Sequence, residues 1–259
     1  MEAQPETMSN ATTASHYSAR FRIPYHEPGP DGLIGIVPLA NYLQQAAGEH
    51  AEQLGVGSSQ LAEKGLFWVL TRQYICIEAL PGGGEEIAVE TWPSRQPRQL
   101  FFRDFRVTGQ NSALLATATS TWALIEGRSR RAVRGPAWLI ESIRHDGASA
   151  TTFPARSISR SDAQDIEHDL ECAIHPRWSD LDTNGHVNNA DLMGYLIEPV
   201  ARRAVGARRL AAIDAVFRAE CGLDHAVSAR AGEIAPGHFH HTLLRSGETE
   251  VARAETKWV

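Results

Sequence analysis

The stretch Ser179 to Leu192, SDLDTNGHVNNADL, crowds carboxylates, carboxamides and one imidazole into a single loop. Two chemistries use such a set. One is calcium binding. Asp180, Asp182, Asn184 and Gly185 fall at positions 1, 3, 5 and 6 of an EF-hand loop, Val187 falls where that loop takes an apolar residue, and Asp191 falls at position 12. The other is polar chemistry at the start of a helix. There, unpaired N–H groups and the positive end of the helix dipole can polarise a carbonyl and hold an oxyanion.

The surroundings decide against calcium. The entering segment HDLECAIHPRW reads as a strand and contains Pro176, whereas a calcium loop follows a helix. Asp191 has a shorter reach than the bidentate glutamate that closes such a loop. In the second reading His186 donates a hydrogen bond or moves a proton, and Asp182 orients a neighbour. The loop itself has nothing to activate a nucleophile. The nearest candidates downstream are Glu220 and Cys221, in FRAECG. Each residue also has a plainer reading: a structural histidine at 186, helix caps at Asn188 and Asn189, a turn residue at Asp180, a strand-end charge at Glu220 and a small buried residue at Cys221. The combination is what points to catalysis.

These residues need a scaffold. Order begins near Tyr17 with a short strand in RFRIPYHEP. From Pro38, Leu39, Leu43, Ala46, Ala47, Ala51 and Leu54 keep helical spacing, and Gly55 is placed to stop the helix. GLFWVLTRQYICIEAL, IAVETWP, QLFFRDFRVTG and SALLATATSTWALIE then read as strands separated by turns. GASATTFPARSISRSD is poor in hydrophobic residues and reads as a linker. After it the pattern restarts. A strand, HDLECAIHP, precedes the polar loop. The helix ADLMGYLIEPVARRAV follows, with Pro199 expected to kink or end it. Four strand-like runs close the chain, beginning at Arg209, Asp224, His238 and Glu248.

The two halves overlay at an offset of 150, with IGIVPLANYL from Ile34 on NGHVNNADLM from Asn184. The element order is shared, as internal duplication requires. Ile34, Ile36, Pro38 and Leu39 stand where the second half has Asn184, His186, Asn188 and Asn189, so one half alone carries polar groups at the junction.

Composition bounds the partners. The 259 residues are 42% hydrophobic and 22% charged, ordinary for a soluble globular chain. A net charge of -6 argues against nucleic acid. Cys76, Cys172 and Cys221 are too scattered for a disulfide framework or a zinc site, and no apolar run approaches a membrane span. MEAQPETMSNATTASH has neither the basic nor the apolar region of a signal peptide and reads as a flexible tail, so a cytoplasmic location is expected. His238, His240 and His241 lack further ligands at suitable spacing, and a solvated strand face is expected rather than a metal site.

At LDTNGHVNNADLMGYL followed by FRAECGLD, the chain resembles the acyl-ACP thioesterases of plants and bacteria. LANYLQQAAGEHAEQLG and TSTWALIEGRSRRAVRGP add first-half cues, so the resemblance runs from about residue 17 to the end. It implies an α+β tandem hotdog fold, each unit a long helix wrapped by an antiparallel sheet. Residues 1–16 would be the tail, 17–147 an N-terminal hotdog carrying the acyl pocket, 148–165 the linker and 166–259 a C-terminal hotdog carrying the catalytic groups. The activity implied is hydrolysis of fatty acyl-ACP to free fatty acid, without a cofactor, in a bacterial cytoplasmic member. The family's catalytic residues fall on Asp182, Asn184, His186 and Glu220. Glu220 would activate water, made a stronger base by burial beside an acyl tunnel, or attack directly. Asn184 and His186 would position water or thioester. The amides of Val187, Asn188 and Asn189 would hold the oxyanion, and Cys221 is the alternative nucleophile. Arg128, Arg130, Arg131 and Arg134, with a second run at Arg202, Arg203, Arg208 and Arg209, are candidates for steering acidic acyl carrier protein. An acyl-CoA thioesterase and a non-catalytic acyl-binding module on the same fold remain the alternatives. Either a monomer or a homodimer suits a chain that already holds both units.

Overall fold

Runs rich in β-branched and aromatic residues form strands, and here they come in two sets, each interrupted by one long amphipathic helix. The computed structural model describes residues 15–96, 99–143, 150, 168–204 and 208–259. The first set is β1 (Tyr17–Arg22), β2 (Leu66–Ile77), β3 (Glu86–Arg95), β4 (Leu100–Thr108), β5 (Leu114–Glu126) and a short β6 (Arg131–Val133), with helix α1 (Ile36–Gln53) between β1 and β2. The second set is β7 (Leu170–Ile174), β8 (Leu210–Phe217), β9 (Val227–Ala235), β10 (His238–Arg245) and β11 (Thr249–Trp258), with helix α4 (Asn189–Ala204) between β7 and β8. Short helices α2 (Ser58–Glu63) and α3 (Ala137–Ser142) and strand β6 lie beyond the expected elements, being too short to carry a periodic signal.

All pairings are antiparallel, and the strands form one sheet of eleven in the order β1-β3-β4-β5-β2-β8-β11-β10-β9-β7, with β6 on β5. Read from either outer edge, the order repeats: first, third, fourth, fifth and second strand of the unit. This is the duplication seen in the letters, now seen in the topology. The units meet at β2 and β8, paired from Arg72↔Val216 to Cys76↔Ala212. At that seam Arg72 Nε and Nη2 donate to the two carboxylate oxygens of Asp214 at 2.8 and 2.6 Å, both side chains buried. Helices α1 and α4 share one core with the sheet. The fold is the expected tandem hotdog.

The helices approach closely because α4 carries Gly194 at the contact. A Cβ there would stand 2.7 Å from Val37 Cγ2. Along α1, Leu39, Leu43, Ala46 and Ala47 are buried as the spacing predicted, Ile36, Ala40 and His50 join them, and Ala51 is only half-buried.

Several local expectations are corrected. Of the two outcomes expected at Pro199, an end to the helix is ruled out, since α4 runs on to Ala204. β3 continues past Pro93, and the register shift between Pro93 and Arg95 absorbs the missing N–H donor. β8 stops at Phe217, so Glu220 and Cys221 sit in a loop. His240 and His241 are fully buried, and only His238 is exposed, because β10 is an interior strand with both faces covered. His241 Nδ1 bonds the Leu196 carbonyl of α4 at 2.8 Å, and its Nε2 lies 2.7 Å from Thr256 Oγ1. On the other face His240 Nδ1 lies 3.4 Å from His168 Nε2. Of the expected tail, His16 stacks on Trp92 and bonds Glu90, while residues 1–14 lie outside the described residues. So does the expected linker at 148–165, apart from Ala150.

Candidate active site

The polar loop folds around one carboxylate. Asp182 Oδ1 accepts the backbone N–H groups of Asn184 and His186 at 2.8 and 3.1 Å, and Oδ2 accepts the Asn184 side-chain amide at 3.3 Å. The Asp182 N–H donates to the His186 carbonyl at 2.7 Å. Gly185, at φ +77°, turns the chain between them in a conformation a side chain would strain. Asp182 therefore shapes the loop that presents Asn184 and His186.

The other aspartates face elsewhere. Asp180 is buried, pairs with Arg177 at 3.0 Å and accepts the Tyr195 hydroxyl at 2.5 Å. Burial pushes its carboxyl up, but the bonds from Tyr195 and Arg177 outweigh this and hold it below its ordinary value. Burial, with Asp180 nearby, raises Asp191 to about 6. Asp180 and Asp191 line a pocket of about 410 Å³, while Asp182 and Asn184 line a different, larger cavity. The groups that mimic calcium ligands in sequence are thus divided between two sides of the loop. Among the described residues no cluster of His, Cys, Asp and Glu could hold a metal ion.

Glu220 lies just past β8 and meets this loop. Its Oε2 is 3.4 Å from His186 Nε2. Its Oε1 pairs at 2.5 Å with Arg130 Nη2, from the turn between β5 and β6 in the other unit. Arg245, at the end of β10, donates to the Glu220 main-chain carbonyl. The Glu220 side chain is 52% exposed, so the expected burial beside a tunnel is absent.

Two further expectations are corrected. Of the three amides proposed to hold an oxyanion, Val187 donates to the Cys221 carbonyl at 2.7 Å and Asn188 to the Asp180 carbonyl at 2.9 Å, so neither is available. Asn188 is instead the helix cap: its Oδ1 accepts the Ala190 N–H at 3.0 Å and also the Gln44 side-chain amide of α1 at 3.2 Å. Cys221 is buried with burial raising its thiol, and it does not line the cavity, which leaves it poorly placed as a nucleophile.

The cavity that carries Asn184, His186 and Glu220 has a volume of about 1360 Å³ and runs from this loop into the first unit, between α1 and the face of β2, β4 and β5. Ala47, Ala51, Leu70, Phe101 and Trp122 give it apolar walls. Arg103 also lines it, bonding His50 Nδ1 at 3.0 Å and Thr91 Oγ1 at 3.2 Å, and burial lowers its guanidinium to about 10. Arg245, Gln44 and Arg103 were not singled out from the sequence. Each acts across a long sequence separation, and nothing local in the chain marks it. Of the first basic run only Arg130 lines the cavity; in the second, Arg202 pairs with Glu198 and Arg208 with Glu233.

A tandem hotdog with one polar junction and one apolar recess defines the class. Family models carry it further. The acyl-ACP thioesterase N-terminal domain matches residues 14–142 and the C-terminal domain matches 163–259. The chain belongs to the acyl-ACP thioesterase family. It is 27% identical over 262 residues to a chloroplastic palmitoyl-acyl carrier protein thioesterase of Gossypium hirsutum, covering 93% of this chain and 63% of that protein. It is also 27% identical over 263 residues to a chloroplastic dodecanoyl-[acyl-carrier-protein] hydrolase of Umbellularia californica, covering 92% and 66%. The chain spans somewhat under two thirds of the length of these relatives. An acyl-ACP thioesterase structure from Bacteroides thetaiotaomicron superposes with a TM-score of 0.83 at 23% identity, covering 97% of this chain and all of that one, which shows the shared fold.

Proposed function

We propose that this protein hydrolyses the thioester of fatty acyl-ACP, releasing free fatty acid. The observation that carries the reading is the convergence of Asn184, His186 and Glu220 on one cavity that apolar residues of the first unit, among them Ala47, Ala51, Leu70 and Phe101, also line. A thioester needs a positioned water, a base and donors for the oxyanion, and its thiolate leaves readily. Glu220 Oε2 takes a proton from water. The resulting hydroxide oxygen bonds to the carbonyl carbon, the C–S bond breaks, and the thiolate leaves and takes up the proton. With the Val187 and Asn188 amides committed, the carbonyl oxygen is left to the Asn189 amide and to two side-chain donors, Asn184 Nδ2 and His186 Nε2. Asp182 is a positioning residue, holding both through their main chain. The acyl chain occupies the first-unit recess.

Acyl carrier protein is the proposed macromolecular partner, and residues 17–147 and 166–259 are the proposed pocket-bearing and catalytic units, joined by the linker. Among the described residues no helix is long and apolar enough to cross a membrane. The three cysteines are free thiols, which fits the proposed cytoplasmic location. Since one chain holds both hotdog units, a monomer is sufficient for the site, and a homodimer would add a second copy of it.

The test is thiol release from matched acyl-ACP and acyl-CoA series, with Glu220→Gln as control. Glu220→Gln is expected to lower kcat by roughly a hundredfold to ten-thousandfold, the range of a lost general base. Release from acyl-CoA alone would move the assignment to an acyl-CoA thioesterase, and release from neither would leave an acyl-binding module.

A further inference from the structure

Glu220 stands in a loop with half its side chain in solvent, where a carboxylate ordinarily samples several rotamers. Two arginines from distant parts of the chain restrict it. Arg245 holds its main-chain carbonyl, and Arg130, 90 residues earlier and in the other unit, holds Oε1. The turn that presents Arg130 is itself tied down. The Arg130 N–H donates to the Glu126 carbonyl at 2.8 Å, and the Ser129 hydroxyl donates to the Glu126 carboxylate at 2.6 Å. Arg130 adopts φ +55°, a left-handed conformation costly for a side-chain-bearing residue, and its guanidinium lies 5.7 Å from the centre of the Phe67 ring. With Oε1 occupied, Oε2 is the oxygen left facing His186.

We propose that Arg130 is a positioning residue for the reaction: it selects the Glu220 oxygen that accepts the proton of water and holds that oxygen beside His186. The inference rests on the hydrolase reading above. It also divides the basic run. A steering charge acts through open solvent and works best when no near counter-charge cancels it. Arg128, Arg131 and Arg134 are exposed and form no ion pair among the described residues, whereas Arg130 is neutralised by the carboxylate it orients. The first unit thereby does more than hold an acyl chain. It supplies a partner to Glu220, whose contacts with His186 and Arg245 come from the second unit.

The experiment compares wild type, Arg130→Gln and Arg130→Lys on two thioesters of one acyl chain, acyl-ACP and the carrier-free acyl-pantetheine. A positioning role predicts that Arg130→Gln loses kcat by the same factor on both substrates, about a hundredfold for a misplaced reacting group. KM for acyl-ACP and the salt dependence of kcat/KM stay as in wild type, and Arg130→Lys recovers part of the loss. A loss confined to acyl-ACP, read in KM and with a shallower salt dependence, overturns the proposal and makes Arg130 a carrier contact. Unchanged kcat overturns it as well. A crystal structure of Arg130→Gln gives a readout free of turnover. The proposal requires the Glu220 carboxylate to leave its place beside His186, and a carboxylate that stays there refutes it. If wild type hydrolyses neither thioester, it is the proposed function that falls, and that structure alone decides whether Arg130 fixes Glu220.

Discussion

Glu220 and Cys221 are chain neighbours with opposite surroundings, and chemistry follows surroundings more than residue type. The carboxylate reaches the cavity; the thiol is buried and its burial disfavours the thiolate. Cys221→Ala is therefore expected to keep kcat within a few-fold of wild type, measured on acyl-ACP; a loss comparable to that of Glu220→Gln would reinstate a thiol nucleophile. Asp182 shows how a residue can serve a site without reacting. Its carboxylate accepts two backbone N–H groups at Oδ1 and the Asn184 side-chain amide at Oδ2, so Asp182→Asn sets an NH2 group against one of these donors. Both activity and loop order should suffer, visible as reduced kcat and faster amide exchange at Asn184 and His186. The identities of Asp182, Asn184, His186 and Glu220 were readable from the letters through the family resemblance. The engagement of the Val187 and Asn188 amides was not, because their acceptors, the carbonyls of Cys221 and Asp180, carry no mark in the sequence.

At the scale of elements, the β2–β8 ladder joins the units, and two further contacts add to it. Across the β2–β8 seam, Arg72 and Asp214 form a buried bidentate pair. Asp214→Asn takes one carboxylate away from a buried guanidinium, and a loss of about 1–3 kcal/mol is expected from chemical denaturation. Where α1 crosses α4, Gly194 lets the backbones approach. Gly194→Ala forces a methyl onto Val37, for about 1–3 kcal/mol of overpacking, and Val37→Ala in the same chain should restore much of it. Failure of that rescue would mean the helix contact is not the cause. Helical spacing located α1 and α4 well, since each buries one continuous stripe. Strand ends were less legible. β8 looked as though it ran to Cys221 but stops at Phe217, because pairing with β11 ends there and apolar letters continue beyond it.

For the whole molecule, His241, one of two buried histidines on β10, predicts how the fold answers to acid. Burial lowers His241 from 6.5 to about 3, so the folded state stays neutral where the unfolded chain takes up a proton. Stability from this group is complete above the unfolded value and falls as the pH drops from about 6.5 toward about 3, by at most about 1.4 kcal/mol per pH unit. Denaturation midpoints across that window, compared with His241→Gln, test it; parallel curves would remove His241 as the cause. The sequence alone determined the duplicated strand–helix–meander order, the one-sided polar junction and the residue types able to do the chemistry, because helical and strand periodicities and short motifs are local properties of a chain. Only the tertiary structure decided that Asp180 and Asp191 turn away from Asp182 and Asn184, that His240 and His241 are interior, and that Arg130 crosses from one unit to hold Glu220 in the other. Those are matters of which distant segments meet, and no spacing along the chain encodes them.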